Sequence, residues 1–206
     1  YFNEKTTVYL NGEFVKATKA TTDLYGQSLH YGYGVFEGIR AYNTENGVRV
    51  YKATEHYERL KKSCQMINIP FEYDVDDLIE QTYKVLELNN FTDAYVRPLV
   101  FCGPNMSLTK PSSVSILICA WEWGAYLGED GLNKGIRVKT SSYSRHHVNV
   151  SLVRAKASGY YINSILANQE VTVHGYDEAL LLDTDGYVSE GSGENVFIVR
   201  DGVLYT

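Results

Sequence analysis

The strongest constraint on the fold is two helix-patterned segments set between strand hairpins and two long apolar strands. Residues 56–66 place Tyr57, Leu60 and Cys64 on one helical face, with Thr54 positioned as an N-cap. Residues 76–88 repeat the pattern with Leu78, Ile79, Thr82, Val85 and Leu86, and Asp76-Asp77 favour the positive end of that helix. Ahead of them, Thr7–Leu10 and Glu13–Val15 flank Asn11-Gly12, the dipeptide of a type I′ hairpin. Ala41-Tyr42 and Val48–Tyr51 form a second hairpin closed by residues 44–47, and Ala94–Phe101 and Val114–Trp121 read as strands. This order predicts an α/β unit over residues 1–122. Residues 28–40 also read as β-like, and Gly32, Gly34 and Gly38 within them mark bulges or close backbone approach rather than a phosphate loop.

Residues 123–135 carry glycines without a period and are the predicted interdomain loop. A second domain, 136–206, opens with a strand at 136–141. A helix follows at 157–172, with Tyr161, Ile162, Ile165 and Leu166 as its apolar residues. Strands then follow at 178–182, 187–189, 196–199 and 203–205, with turns at 184–186 and at Asp201-Gly202. The chain starts at Tyr1 without a methionine and ends inside a strand-like run, which reads as a fragment trimmed at both ends.

Composition narrows the function. A net charge of −6 argues against a general nucleic-acid binder. No apolar run approaches the roughly 18 residues of a membrane span. Cys64, Cys102 and Cys119 are widely spaced and suit a reducing cytosol. The 18 tyrosines outnumber the 7 phenylalanines, which points to a polar, hydrogen-bonded pocket or interface.

Four groups of residues can carry chemistry. Lys156 sits among small residues where a strand-like segment meets a helix, and an amine in a cavity there is a nucleophile for a carbonyl. A solvated lysine is the commoner outcome of such a sequence. Tyr160 lies four residues on, on the same face if the helix has begun. Glu190 and Glu194 flank a Gly/Ser turn whose amides can meet an anion, or which is simply a polar loop. Arg59 pairs with Glu55 one turn back or contacts a phosphate. Tyr31, Tyr95, Arg97 and Tyr126 lie near glycine, proline or loop positions. Arg97, inside a strand, needs an acid of the protein or an anionic substrate. His146-His147 and His174 complete no four-ligand metal set.

Six stretches, in order along the chain, resemble one family. They are His30–Arg40, His56–Leu60, Ala94–Phe101, Trp123–Gly128, Ala155–Tyr161 and Ser189–Phe197. Together they resemble the fold-type IV pyridoxal-phosphate aminotransferases, and within them the branched-chain amino-acid aminotransferases. The resemblance implies an α+β protein, with an N-terminal α/β domain and a C-terminal pseudo-barrel domain that is truncated here. It implies that Lys156 holds pyridoxal 5′-phosphate covalently, that Glu190 pairs with its pyridine nitrogen, and that Tyr160 bonds its phenolic oxygen. Arg59 would bind the phosphate, and Glu194 joins the cofactor-binding set. Tyr31, Phe36, Tyr95, Arg97 and Tyr126 would line the substrate pocket, some reaching in from a partner subunit. The implied reaction moves an amino group from leucine, isoleucine or valine to 2-oxoglutarate in a cytoplasmic homodimer or higher homo-oligomer, with no nucleic-acid or membrane partner. A D-amino-acid aminotransferase, an aminodeoxychorismate lyase and a catalytically silent scaffold are the rival readings. Phosphate- and substrate-binding amides that family members carry farther along have no counterpart in this chain, and the loop Cys102–Pro111 is shorter than in relatives.

Overall fold

The computed structural model describes residues 1–124 and 127–206. The chain divides into two compact units, one of residues 1–124 with 154–159, the other of 125–153 with 160–206. The first break therefore falls two residues beyond the expected end at 122. Arg154–Gly159, expected within 136–206, belongs to the first unit.

In the first unit, β1 (Thr7–Leu10) and β2 (Glu13–Lys16) form the expected hairpin, with Asn11 and Gly12 both at positive φ. Helix α1 (Gln27–Tyr31) follows, then β3 (Gly34–Phe36), β4 (Ile39–Thr44) and β5 (Gly47–Val50). Residues 28–31 are thus helical rather than extended. Gly32, left-handed at φ 65, stops the helix, and buried Gln27 donates to the carbonyls of Ser107 and Thr109. Helices α2 (Ala53–Met66) and α3 (Val75–Leu88) come next, then β6 (Ala94–Cys102) and β7 (Val114–Trp121).

The strands form one sheet in the order β2-β1-β7-β6-β4-β5, with β3 also paired to β6. β6 carries the sheet. It pairs with β7 from Tyr95↔Trp121 to Cys102↔Val114, and its other edge takes β3 at one end and β4 at the other. The interruption at Glu37-Gly38 lies opposite Arg97-Pro98. Glu37 donates its N–H to the Pro98 carbonyl, and Pro98 has no N–H to return, so the ladder breaks there. α2 and α3 pack on each other, with α2 also against β3 and α3 against β1 and β7; Tyr57, Leu60, Cys64, Leu78, Val85 and Leu86 of the helices and Val96, Val100, Ile116 and Ile118 of the strands are buried. Alternation leaves Tyr95 and Arg97 on the opposite face of β6 from Val96.

In the second unit, α4 (Gly128–Lys134) lies within the expected interdomain loop. β8 (Val138–Thr140) and β9 (Glu178–Leu182) pair in parallel, joined through α5 (Tyr161–Thr172), and β10 (Val188–Gly191) runs antiparallel to β9. α5 buries Ser164, Ala167 and Val171, and Ala167 and Val171 pack with Ala179 and Leu181; Ile162, Ile165 and Leu166 stay exposed. The larger apolar residues marked the wrong face, because small side chains let the helix approach the sheet closely. β11 (Ile198–Arg200) and β12 (Val203–Tyr205) form a separate hairpin, with Asp201 and Gly202 at positive φ.

The helix caps give a stability test. Asp74 caps α3 by accepting from the Asp77 N–H at 2.9 Å, whereas α2 begins at Ala53, so Thr54, expected as its N-cap, lies inside the helix, and the actual N-cap, Lys52, is left-handed with no side-chain cap. Replacing Asp74 with Ala should therefore cost about 1 kcal/mol in denaturant unfolding, and Thr54→Ala close to nothing. Equal losses at the two positions would contradict this assignment.

Candidate functional site

The first unit holds the candidate nucleophile. The Lys156 N–H donates to Ser63 Oγ at 3.1 Å, and its carbonyl accepts from the Phe36 N–H at 3.1 Å. Ala157 bridges Val35, the Gly159 N–H donates to the Gly32 carbonyl at 3.1 Å, and Ala155 and Ala157 are buried. The lysine's backbone is fixed from α2 on one side and β3 on the other. Its Nζ lies 5.3 Å from the Phe36 ring centroid. Ser63 stands four residues after Arg59 on α2, so the two share a helix face.

Arg59 pairs with Glu37, not with Glu55, which bonds Lys52 instead. Glu37 Oε1 accepts from Arg59 Nε at 2.5 Å, and Oε2 accepts from Arg59 Nη2 at 2.7 Å and faces His56 Nδ1 at 2.8 Å. Burial alone would raise the Glu37 pKa. The bonds from His56 and Arg59 outweigh it and hold the carboxyl below its ordinary value.

Arg97 lies in an aromatic box on the same unit. Its Cζ is 4.3 Å from the Phe36 centroid, 5.2 Å from Tyr95 and 5.9 Å from Trp121, and its Nη2 donates to the Tyr95 hydroxyl at 2.9 Å. Among the described residues no carboxylate pairs with it, and its buried Nε makes no hydrogen bond. Gly38 makes room for the box, since a Cβ there would overlap the Tyr95 hydroxyl. Phe36, Tyr95 and Arg97 are thus brought together. Tyr31 is placed elsewhere. It is exposed, donates to the Met106 carbonyl at 2.9 Å, and lines a cleft of about 770 Å³ with Tyr33, Ile69 and Leu108. Tyr126 lies outside the described residues.

The second unit holds the acids. Glu190, half-buried at a register shift in β10, sits 2.5 Å from Arg145 Nε; Arg145 Nη1 donates to Asn163 and Ser164 at 3.1 Å. Arg145, His146, Ser189, Glu190 and Asn195 line a cavity of about 370 Å³. Tyr160 ends a 3₁₀ turn at Ser158–Tyr160, and α5 begins only at Tyr161, so the expected shared helical turn with Lys156 does not form. The Tyr160 hydroxyl accepts from the Leu152 N–H at 3.3 Å, and its ring centroid is 5.8 Å from that of His146. Glu194 folds back over Gly191, where a Cβ would meet its Oε2 at 2.9 Å. Its neighbour is Glu178, a buried acid that accepts N–H groups from Ala179 at 2.6 Å and Ser192 at 3.1 Å. Burial first, then Glu178, push the Glu194 pKa up to about 8. Burial opposes ionisation of Glu178 as well, but bonds from Glu194, Ser192 and Ala179 keep its pKa below the ordinary value, so the pair shares one proton.

Sequence reasoning missed Glu37, Arg145 and Glu178 as parts of these clusters, because each meets its partner across many residues of chain. Among the described residues, no three His, Cys, Asp or Glu side chains gather to hold a metal. No described helix is long and apolar enough to cross a membrane.

A mixed α/β chain with this lysine and arginine fits one class. The family model for class IV amino-transferases matches residues 34–206. The chain belongs to the class IV aminotransferase family. It is 48% identical over 201 residues to a branched-chain-amino-acid aminotransferase of Pseudomonas aeruginosa, covering 97% of this chain but 66% of that relative's length. It is also similar to the crystal structure of the Escherichia coli branched-chain amino acid aminotransferase, with TM-score 0.95 and 41% identity over 98% of this chain and 67% of that one. The branched-chain amino acid aminotransferase of T.th., solved with pyridoxamine 5′-phosphate, gives TM-score 0.91 and 42% identity, over 98% of this chain and 67% of that one. At these identities the fold-type IV architecture expected from the sequence is shown.

The Glu178–Glu194 pair makes a pH prediction. A raised carboxyl pKa contributes stability at low pH that is lost as pH rises through the folded value, about 8 for Glu194. Thermal melting should therefore fall as pH rises from about 5 to about 8 and level off above that, and Glu194→Gln, which keeps the neutral shape, should remove that fall. An unchanged slope in the variant would show that another group titrates.

Proposed function

We propose that the chain is part of an aminotransferase that holds pyridoxal 5′-phosphate and acts on branched-chain L-amino acids. The observation that carries this reading is the anchoring of the Lys156 backbone on Ser63, one helical turn from Arg59 on the same face of α2. The cofactor's aldehyde and phosphate arms leave neighbouring ring carbons, so an amine and a guanidinium supported from adjacent turns fit the group. Arg59 supports the fit further, since its side chain stays 52% exposed although it grips a buried acid. When bound, pyridoxal phosphate supplies a carbon for the lysine amine and a ring that takes up the electron pair released at the substrate Cα.

The chain's residues then have distinct tasks. Lys156 Nζ holds the cofactor, gives way to the substrate amine, and takes the proton from the substrate Cα. Arg59 binds the phosphate. Glu190, ion-paired to Arg145, accepts the N–H of the pyridine nitrogen; Tyr160 and Glu194 complete the cofactor-binding set. Arg97, boxed by Phe36, Tyr95 and Trp121, meets a substrate carboxylate while the ring faces meet an aliphatic side chain. Tyr31, which lines a separate cleft from Arg97, and Tyr126 are read as completing the substrate set, some of which reaches in from a partner subunit, with leucine, isoleucine or valine as amino donor and 2-oxoglutarate as acceptor. The same reading makes the protein a cytoplasmic homodimer or higher homo-oligomer, supported by the exposed apolar surface of Leu24, Tyr25, Leu29 and Leu108.

The test uses the whole protein that carries this chain. Borohydride reduction of the cofactor-loaded protein should leave a mass adduct on Lys156, and Lys156→Ala should lose the adduct and lower turnover by about a thousandfold or more. Glu190→Gln should keep cofactor and lose about a hundredfold in rate. Absence of the adduct would favour a silent scaffold, and a preference for D-alanine over L-leucine would move the substrate class.

A further inference from the structure

Glu37 and Arg59 are buried unequally. The acid is fully buried, whereas the arginine's side chain is 52% exposed. An ion pair serving only the core hides both partners, since an uncompensated buried charge is costly. A buried acid under an exposed base is instead a support whose load faces outward. The geometry agrees. Glu37 takes Nε and Nη2 of the guanidinium in a two-bond fork, which fixes the plane of the group as well as its place. The acid is itself immobile, because its N–H is bound to the Pro98 carbonyl at the break between β3 and β4, and His56 Nδ1 bonds its Oε2 from the preceding turn of α2. Of the two acids expected or found near Arg59, Glu55 is engaged by Lys52, so the guanidinium is oriented by Glu37.

We propose that Glu37 is the positioning residue of the cofactor's phosphate subsite, holding Arg59 in the plane and direction in which its outer edge meets a phosphate, with His56 steadying the acid. This rests on the reading of Arg59 as the phosphate ligand. A flexible arginine loses rotamer freedom when it captures an anion; one already clamped has lost it beforehand. Glu37 touches neither substrate nor cofactor in this scheme and acts through Arg59 alone.

Binding of two ligands that differ only in the phosphate separates this role from a structural one. Equilibrium dialysis of the whole protein against pyridoxal 5′-phosphate and against pyridoxal would be run for the parent, Glu37→Gln, Arg59→Ala and the double variant. Glu37→Gln should weaken pyridoxal 5′-phosphate by about tenfold or more and leave pyridoxal within about twofold. In the Arg59→Ala background the same change should add nothing, since the clamp has lost its client. Should Glu37→Gln fail to fold, Glu37→Asp, which keeps the charge but shortens the reach, should show the same split between ligands. Equal weakening of both ligands, or a full additional loss in the double variant, would overturn the proposal. A parent protein that bound pyridoxal as tightly as its phosphate ester would remove the phosphate subsite itself and this inference with it, whereas parent discrimination with no split in the variants would sink the inference alone.

Discussion

The first unit depends on a short, distant segment being stitched to its surface. Residues 154–159 return to it after residues 125–153 of the second unit, and are held by the Ser63 hydroxyl, the Phe36 N–H, the Val35–Ala157 bridge and the Gly32 carbonyl. Closing such a loop costs entropy that grows only slowly with its length, so a few well-placed bonds suffice. Two glycines make the approach feasible. A Cβ on Gly32 would lie 2.6 Å from the Gly159 Cα, and Gly32 also needs positive φ to end α1. Lys156 is thereby presented by a backbone that cannot shift without breaking contacts with both α2 and β3.

The same neighbourhood sets cations against one aromatic face. Phe36, buried at the end of β3, has Lys156 Nζ 5.3 Å and Arg97 Cζ 4.3 Å from its ring centroid. Ring faces attract cations without neutralising them. Two positive groups are thus gathered near one apolar surface, while Glu37 is committed to Arg59 and His56. In the proposed reading, a substrate carboxylate and its aliphatic chain would meet there a cation and an apolar wall.

What the sequence revealed and what it hid divide along physical lines. The hairpins at Asn11-Gly12 and at residues 44–47, both long helices and strands β6 and β7 were legible because turn chemistry and periodicity are local. α1 was not, because its start depends on Gln27 reaching a carbonyl 80 residues away. The buried face of α5 was misread because hydrophobic pattern weighs Ile162 and Ile165 above Ser164 and Ala167, whereas close packing on β9 favours the small pair. For the site, Lys156, Arg59 and Arg97 were visible as cations in unusual company, but their partners were not. Glu37 precedes Arg59 by 22 residues and Arg145 precedes Glu190 by 45, spacings that no local rule reads.

Burial of the thiols completes the logic of an amine nucleophile. An aldehyde is attacked by thiolates as well as by amines, and the thiolate is the reactive form. Burial raises Cys64 to about 12 and Cys102 and Cys119 to about 11, so all three stay protonated at neutral pH. They act as small hydrophobes, filling α2, β6 and β7. The first unit therefore sets its anchored amine beside Phe36 and keeps its sulfur chemistry silent. In the proposed reaction, carbonyl capture at Lys156 would follow from which nucleophiles the fold leaves reactive as much as from the lysine's own placement.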